Sequence, residues 1–384
     1  MKRPAAVALA AALALLAACD KEKDVAPPAE LVDIKTTLAV DKLWSSSVDG
    51  GGKKLRLALG IALDGDTLYA AGRKGDVRAI DAATGRTRWE TDTDLALSAG
   101  PGAGGGLVAV ATSSGALVAL DAASGKQLWK AQAGGEVLAA PLVAAGRVVV
   151  RTVDGRLRAF AATDGNEAWM VEDTVPRLTL RGTSAPVLAN DAVISGFDTG
   201  RVMSVALASG DILWQAQVGS PRGRSELERL ADVDAAVRVA GGDVYAVGYQ
   251  GRLAMLSLDT GQLWWAREMS SYRGLDVDDD QIYVSTSEGD VVALRRRDGS
   301  IVWTQPGLQR RAPSTPAVQG DNVVVGDFDG YLHWLDRATG RFVARERPGN
   351  ARISLAPLVS GNRVFVIDEG GDIVAYRSGA PPGR

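Results

Sequence analysis

One spacing constrains this chain more than any other feature. At six places a glycine is followed fourteen residues later by a tryptophan: Gly75 and Trp89, Gly115 and Trp129, Gly155 and Trp169, Gly200 and Trp214, Gly251 and Trp265, Gly289 and Trp303. The stretch between them reads as a single unit. In Gly115 to Trp129, GALVALDAASGKQLW, an apolar run from Leu117 to Leu120 reads as a strand. Asp121 to Gly125 reads as a tight turn, and Leu128-Trp129 opens the returning strand of a β-hairpin. Ten residues after each start stands a second glycine (Gly85, Gly125, Gly165, Gly210, Gly261, Gly299, Gly340), always preceded by Thr, Ser or Asp. A glycine there takes the positive φ that the turn demands, and the small polar residue before it bonds its own backbone. Gly330 opens a seventh unit, with Ala344 in the tryptophan position, and Gly371 an eighth.

Successive starts lie 40, 40, 45, 51, 38, 41 and 41 residues apart, the period of a four-stranded propeller blade. Pro101, Pro141, Pro186, Pro316 and Pro357 each stand fourteen residues before a start, where proline suits the beginning of a strand whose N–H lacks a partner. The hairpin is therefore expected to be the second half of each blade. The eighth unit has no tryptophan strand after its glycine, whereas Asp41-Lys42-Leu43-Trp44 is a tryptophan strand with no hairpin before it. Joining the two closes the ring without an open sheet edge between first and last blade. The expected fold is all-β: an eight-bladed β-propeller of four-stranded antiparallel blades over residues 37–380, closed by the N-terminal strand around Trp44. Trp44, Trp89, Trp129, Trp169, Trp214, Trp265 and Trp303 are expected to dock blade on blade.

Composition supports one large turn-rich domain: 45 glycines without a collagen period, and nine tryptophans nearly all held in the repeat frame. A net charge of −3 points away from nucleic acid as a partner. Residues 1–18 read as a secretory leader, with Lys2 and Arg3 before an apolar core from about Val7 to Ala17 that is too short to span a bilayer. It ends in Leu16-Ala17-Ala18-Cys19, which resembles the bacterial lipobox and implies that Cys19, the single cysteine, is acylated. The membrane is then reached through a lipid anchor at Cys19, stable only with more than one acyl chain. Residues 19–36 are polar and proline-bearing, and are expected to be a lipidated flexible tether. Asp20 directly after the cysteine would, under one sorting rule, retain a lipoprotein in the inner membrane.

Candidates for catalysis are few. His333 is the one histidine and sits in a strand pattern, Tyr331-Leu332-His333-Trp334, so histidine triads and histidine-based metal sites find no set of residues here. The literal G-x-G-x-x-G at Gly100, Gly102 and Gly105 contains Pro101, precedes no helix, and reads as a loop. Asp276, Asp278, Asp279 and Asp280 lack the EF-hand spacing and align with the turn between a blade's first two strands. Arg295, Arg296 and Arg297 fall in a hairpin turn and Arg310-Arg311 in a blade connection; both read as solvated loops. No cofactor and no metal site is expected.

Two connections depart from the repeat. One is Val171 to Ser184 (VEDTVPRLTLRGTS) and the other Gly219 to Asp234 (GSPRGRSELERLADVD). Each joins the outer strand of one blade to the inner strand of the next, so both should emerge side by side on one face. Loops that break a repeat are where function is usually added. Leu178 and Leu180 flank Thr179 and precede Arg181. Glu226, Glu228, Arg229, Asp232 and Asp234 lie in a helix-like run.

The lipobox, the tether, eight tryptophan-docked units, and the segments LTLRGTSAP and ELERLADVD together resemble the BamB family, the lipoprotein subunits of the outer-membrane β-barrel assembly machinery. The resemblance covers essentially the whole chain after the leader, and the two segments are more specific than the blades. It implies a non-enzymatic scaffold on the periplasmic face of the outer membrane that binds the POTRA domains of BamA alongside other BAM subunits. Such a scaffold aids delivery of unfolded outer-membrane protein clients. By the same resemblance Leu178, Leu180, Arg181, Asp232 and Asp234 are the partner-binding residues. The frame from Ala79 to Trp89 also resembles eight-bladed quinoprotein dehydrogenases that bind pyrroloquinoline quinone with calcium, and a propeller binding cell-wall polymer is a third reading. A further expectation is that an outer blade edge takes up a client strand.

Overall fold

A computed structural model describes residues 26–49, 59–179, 184–219 and 232–379. Its strands form eight four-stranded antiparallel sheets, each built from sequence-adjacent strands except one. Blade one spans 61–92, blade two 97–132, blade three 142–172, blade four 187–217, blade five 238–268, blade six 274–305 and blade seven 317–346. Blade eight takes its three inner strands from 358–379 and its outer strand, Ala39–Ser47, from the other end of the chain. Ala39 pairs with Gly379 and Ser47 with Asp372, so the ring is closed as the lone tryptophan strand implied. Pro141, Pro186, Pro316 and Pro357 each stand immediately before an inner strand, whereas Pro101 lies within one, Leu97–Gly104.

That strand corrects the reading of the Gly100–Gly105 segment as a loop. A Cβ on Gly102 would lie 1.9 Å from the Pro141 carbonyl oxygen, and one on Gly104 would lie 2.5 Å from that of Val143. These glycines let the inner strands of blades two and three approach backbone to backbone.

The seams between blades repeat one contact. Each framed tryptophan donates its indole N–H to a carbonyl in the hairpin turn of the next blade: Trp44 to Ala82, Trp89 to Ala122, Trp129 to Ala162, Trp169 to Leu207, Trp214 to Leu258, Trp265 to Arg296 and Trp303 to Arg337. The turn glycine lies beneath the indole. Gly165 has φ +73°, and a Cβ there would come within 2.5 Å of the Trp129 ring. The glycine is thus needed twice, for its backbone angle and for its missing side chain. Burial of a large aromatic at each seam makes it a major term in ring stability, on the order of 3–5 kcal/mol per residue truncated.

The eighth seam differs. Ala344 occupies the tryptophan position of blade seven, and its place in the core is taken by Trp334 against Tyr376, with Leu38 and Val40 packed alongside. The stretch expected to be a tether is, from Ala29 onward, laid on this side of the ring: Thr37 and Leu38 donate backbone N–H to the Val343 carbonyl, and Leu31 packs with Leu308 and Phe342. Half-buried Leu31, Ile34 and Leu38 are the apolar residues that hold it there.

One arginine of each basic run read as solvated is turned inward, while Arg295, Arg297 and Arg310 are exposed. Arg296 donates to the Tyr245 hydroxyl and to the carbonyls of Ala240, Asp278 and Asp279, clamping blade five to blade six. Arg311 is 5% exposed and pairs with Asp327 and Asp329. Of the four clustered aspartates, Asp278 caps its own turn, while Asp276 lies in the strand Gly274–Val277 and binds Arg238 and the Val318 amide across the neighbouring blades. His333 is buried in the strand Leu332–Asp336.

Candidate functional site

The two irregular connections flank blade four on one face. The first leaves blade three after Glu172 and the second leaves blade four after Gln217. Cys19, Asp20, Leu180, Arg181, Glu226, Glu228 and Arg229 lie outside the described residues, as do residues 1–18. The roots of both connections are described, and they are tied together.

Asp173 begins the first root. Its buried carboxylate accepts from Arg201 Nη1 at 2.9 Å and from Thr199 Oγ1 at 2.6 Å, both in blade four. The connection is thereby fixed to the blade it leads into, not only to the one it leaves. Val175 and Leu178, further along, are 41% and 43% exposed. Ser184, buried at the far end, donates its hydroxyl to the Ala235 carbonyl at 3.1 Å, which joins the end of the first connection to the end of the second. The second returns through Asp232 and Val233. The Asp232 carbonyl accepts from the Tyr249 amide, and the Val233 amide donates to the Phe197 carbonyl. A Cβ on Gly196 would lie 2.3 Å from the Val233 carbonyl oxygen, so the returning chain rests directly on blade four.

Under this joint sits Arg151, 1% exposed, at the end of the strand Arg147–Arg151. Its guanidinium lies 4.4 Å over the Phe197 ring and 3.4 Å from Asp198 Oδ1, and one N–H is taken by the Thr152 carbonyl. Asp234 and Asp173 also lie within its field. Burial pushes Arg151 below its ordinary value, against the pull of these acids. Burial likewise raises Asp198, with Arg151 opposing. Asp234 is pushed up to about 8, first by burial and then by repulsion from Asp232 and Asp198. One oxygen of Asp234 is buried and accepts no hydrogen bond. Among the described residues, the cluster gathers Asp198 and Asp234 around Arg151 in a poorly solvated place, where burial outweighs pairing for both acids.

Of the residues singled out from the sequence, the structure brings Asp232 and Asp234 to the joint and leaves Leu178 exposed beside it. Asp232 itself is 1% exposed and acts at the root of its connection. Arg151, Asp173 and Asp198 were not anticipated. A signal existed for the first: at its place in the frame the other blades carry Ala71, Ala111, Gly196, Val247, Ser285, Gly326 and Ile367, none of them charged. Among the described residues, no three His, Cys, Asp or Glu side chains converge as a metal site would require.

Comparison with known proteins is consistent along the whole ring. A family model described as "Outer membrane protein assembly factor BamB" matches residues 37–96, 73–305 and 307–379. The outer membrane protein assembly factor BamB of Pseudomonas aeruginosa is 50% identical over 371 residues, covering 97% of this chain and 98% of the relative. That of Kangiella koreensis is 47% identical over 91% of this chain and 90% of its own. The crystal structure of BamB from Moraxella catarrhalis superposes with a TM-score of 0.81 at 27% identity, over 88% of this chain and all of the other. The quinohemoprotein alcohol dehydrogenase of Comamonas testosteroni superposes at 0.70 with 14% identity, over 90% of this chain and 77% of that enzyme, a likeness of fold alone.

Proposed function

The chain belongs to the BamB family of outer-membrane protein assembly factors, and from that membership we propose that it docks on BamA through the two connections flanking blade four. It is a non-enzymatic scaffold of the BAM complex, a lipoprotein of the outer membrane facing the periplasm. The POTRA domains of BamA are the surface it grips, unfolded outer-membrane proteins are the clients it helps deliver, and acylated Cys19 is its anchor. The observation that carries the reading is the joint between the two connections: Ser184 bonded to Ala235, with Asp173 held by Arg201 and Thr199. Roots tied to each other and to one blade hold the two connections in a fixed relation, which lowers the ordering cost of docking. Leu178 and Leu180 supply the apolar centre and Arg181 the charge that sets register, while Asp232 and Asp234, held in from solvent, fix the root beneath them.

Substituting Leu180→Ala and Arg181→Ala together abolishes co-purification with BamA while the mature chain keeps its thermal transition. Unchanged co-purification removes the first connection from the interface.

A second reading, compatible with the first, rests on the blade edges. The outer strands of blades four, five and six expose apolar pairs at their starts: Ile212 and Leu213, Leu263 and Trp264, Ile301 and Val302. These edges suit addition of an extended, apolar client segment. Leu213→Lys with Trp264→Lys should cut photocrosslinking to an unfolded outer-membrane protein without altering BamA binding. Undiminished crosslinking would exclude those edges.

A further inference from the structure

The outer edge of blade seven already has an occupant. Thr37 and Leu38 bond its Val343 carbonyl, Arg345 Nη1 donates to the Val32 carbonyl at 3.0 Å, and Arg311 Nη1 donates to the Ala29 carbonyl at 3.3 Å. The Ala29 amide in turn donates to the Gln309 carbonyl. The two arginines are connected beneath the segment. Arg345 Nε donates to His333 Nδ1, so the ring proton sits on Nε2, which faces Asp327 Oδ2 at 3.2 Å; Asp327 also accepts from Arg311 Nε at 2.8 Å. The Asp33 charge faces Arg345 from the segment itself.

The direction of this segment matters. The closing strand Ala39–Ser47 starts opposite Gly379 and ends opposite Asp372, where the Val48 amide bonds the Gly371 carbonyl. Its far end thus lies on the face of the blade-to-blade connections, and Ala39 lies on the opposite face, that of the hairpin turns. A tether running straight out from Ala39 would leave on the hairpin-turn face. Instead the chain passes from Leu38 beside Val343, up past Arg345, to Ala29 beside Gln309 and Arg311, which belong to the connection between blades six and seven.

We propose that blade seven is a binding surface for the chain's own segment 29–38, and that this strap turns the anchored N-terminus out on the face carrying the two long connections. The inference rests on the reading of Cys19 as acylated. From Cys19 to Ala29 the chain reaches at most roughly 35 Å, whereas a tether free back to Ala39 would reach roughly 70 Å. The strap therefore shortens the leash to about half and turns the connection face toward the bilayer.

Because Cys19 is the single cysteine and is acylated, one introduced cysteine can be labelled alone. Lys74 lies in the turn between Thr67–Ala71 and Asp76–Asp81, on the connection face, and Ala83 lies in the hairpin turn of the same blade. The acylated chain carrying a donor dye at Lys74→Cys or Ala83→Cys is placed in phosphatidylethanolamine–phosphatidylglycerol vesicles with a headgroup acceptor. Energy transfer at position 74 should exceed that at 83 severalfold, and Leu31→Asp with Thr37→Pro should erase the difference. Equal transfer at both positions, or a difference that survives those substitutions, overturns the orientation. The strap itself is read in solution on the Cys19→Ser chain, where the amides of Ala29 and Leu38 should exchange at least tenfold slower than in the Leu31→Asp, Thr37→Pro variant. Equal exchange overturns it. Vesicle flotation separates the premise: an unfloated mature chain removes the anchor, and the exchange measurement still decides the strap.

Discussion

Two buried charge clusters sit at corresponding heights in this ring, and they are built to opposite standards. In blade seven Asp327, wholly buried, accepts from Arg311, from the amides of Asp329 and Tyr331, and faces His333. Burial alone would raise its carboxyl, but His333, the Tyr331 amide and Arg311 outweigh that and hold it below its ordinary value. Beside blade four, Arg151 meets Asp198 at the long distance of 3.4 Å, and burial leaves both Asp198 and Asp234 raised. A satisfied cluster is structure. One in which burial outweighs pairing for Asp198 and Asp234, at the root of two irregular connections, is where a partner has something to supply.

The comparison breaks most visibly if the satisfied cluster is emptied. Asp327→Ala leaves buried His333 without its carboxylate and Arg311 with Asp329 alone, and should cost about 3–5 kcal/mol in denaturant unfolding. A loss under 1 kcal/mol would mean that solvent reaches the cluster and that the contrast with blade four is false.

Asp234→Asn tests the other side, and its sign is opposite. The folded pKa of about 8 lies above the ordinary 3.8, so between these values the folded state keeps a proton that the unfolded state releases. Stability therefore falls as pH rises from 3.8 to 8, and the full cost is present above 8. Removing the charge should stabilise the chain by about 2 kcal/mol at pH 8.5 and abolish that slope. His333, lowered by burial, contributes in the other direction: the unfolded state takes up a proton first, and stability is lost as pH drops below 6.5. Urea midpoints of both forms between pH 5 and 9 measure the two slopes. A variant less stable than the parent at pH 8.5 would show that Asp234 is paired.

Blade count, ring closure and the seven indole docks were legible because a glycine-to-tryptophan spacing is local and repeats. The second reason for each turn glycine was not, since the indole above Gly165 comes from Trp129 in another blade. Arg151 shows the same limit from the other side. Its odd charge is visible once blades are aligned, but the acids it faces come from blade four and from both connections. The strap was the least accessible feature: Arg311 and Arg345 bind carbonyls 282 and 313 positions away, and Arg311 itself read as solvated. Polar, proline-bearing composition describes how a segment behaves alone, and a blade edge with an open carbonyl row can override it.

The smallest expected effect on the fold discriminates most finely between the clusters. Leu178 projects from the first connection, 43% exposed, and has no part in the Asp173 or Ser184 contacts that fix the roots. Leu178→Ala should change stability by less than about 0.5 kcal/mol. If the connections beside blade four form a docking patch whose apolar centre is desolvated on binding, the same substitution weakens association with the BamA POTRA domains about tenfold, or about 1.4 kcal/mol. Titration calorimetry reads that loss directly. An exposed leucine that costs neither stability nor binding would leave the charged joint beneath it as the whole of the site, and would shift the weight of recognition from the connection's tip to its root.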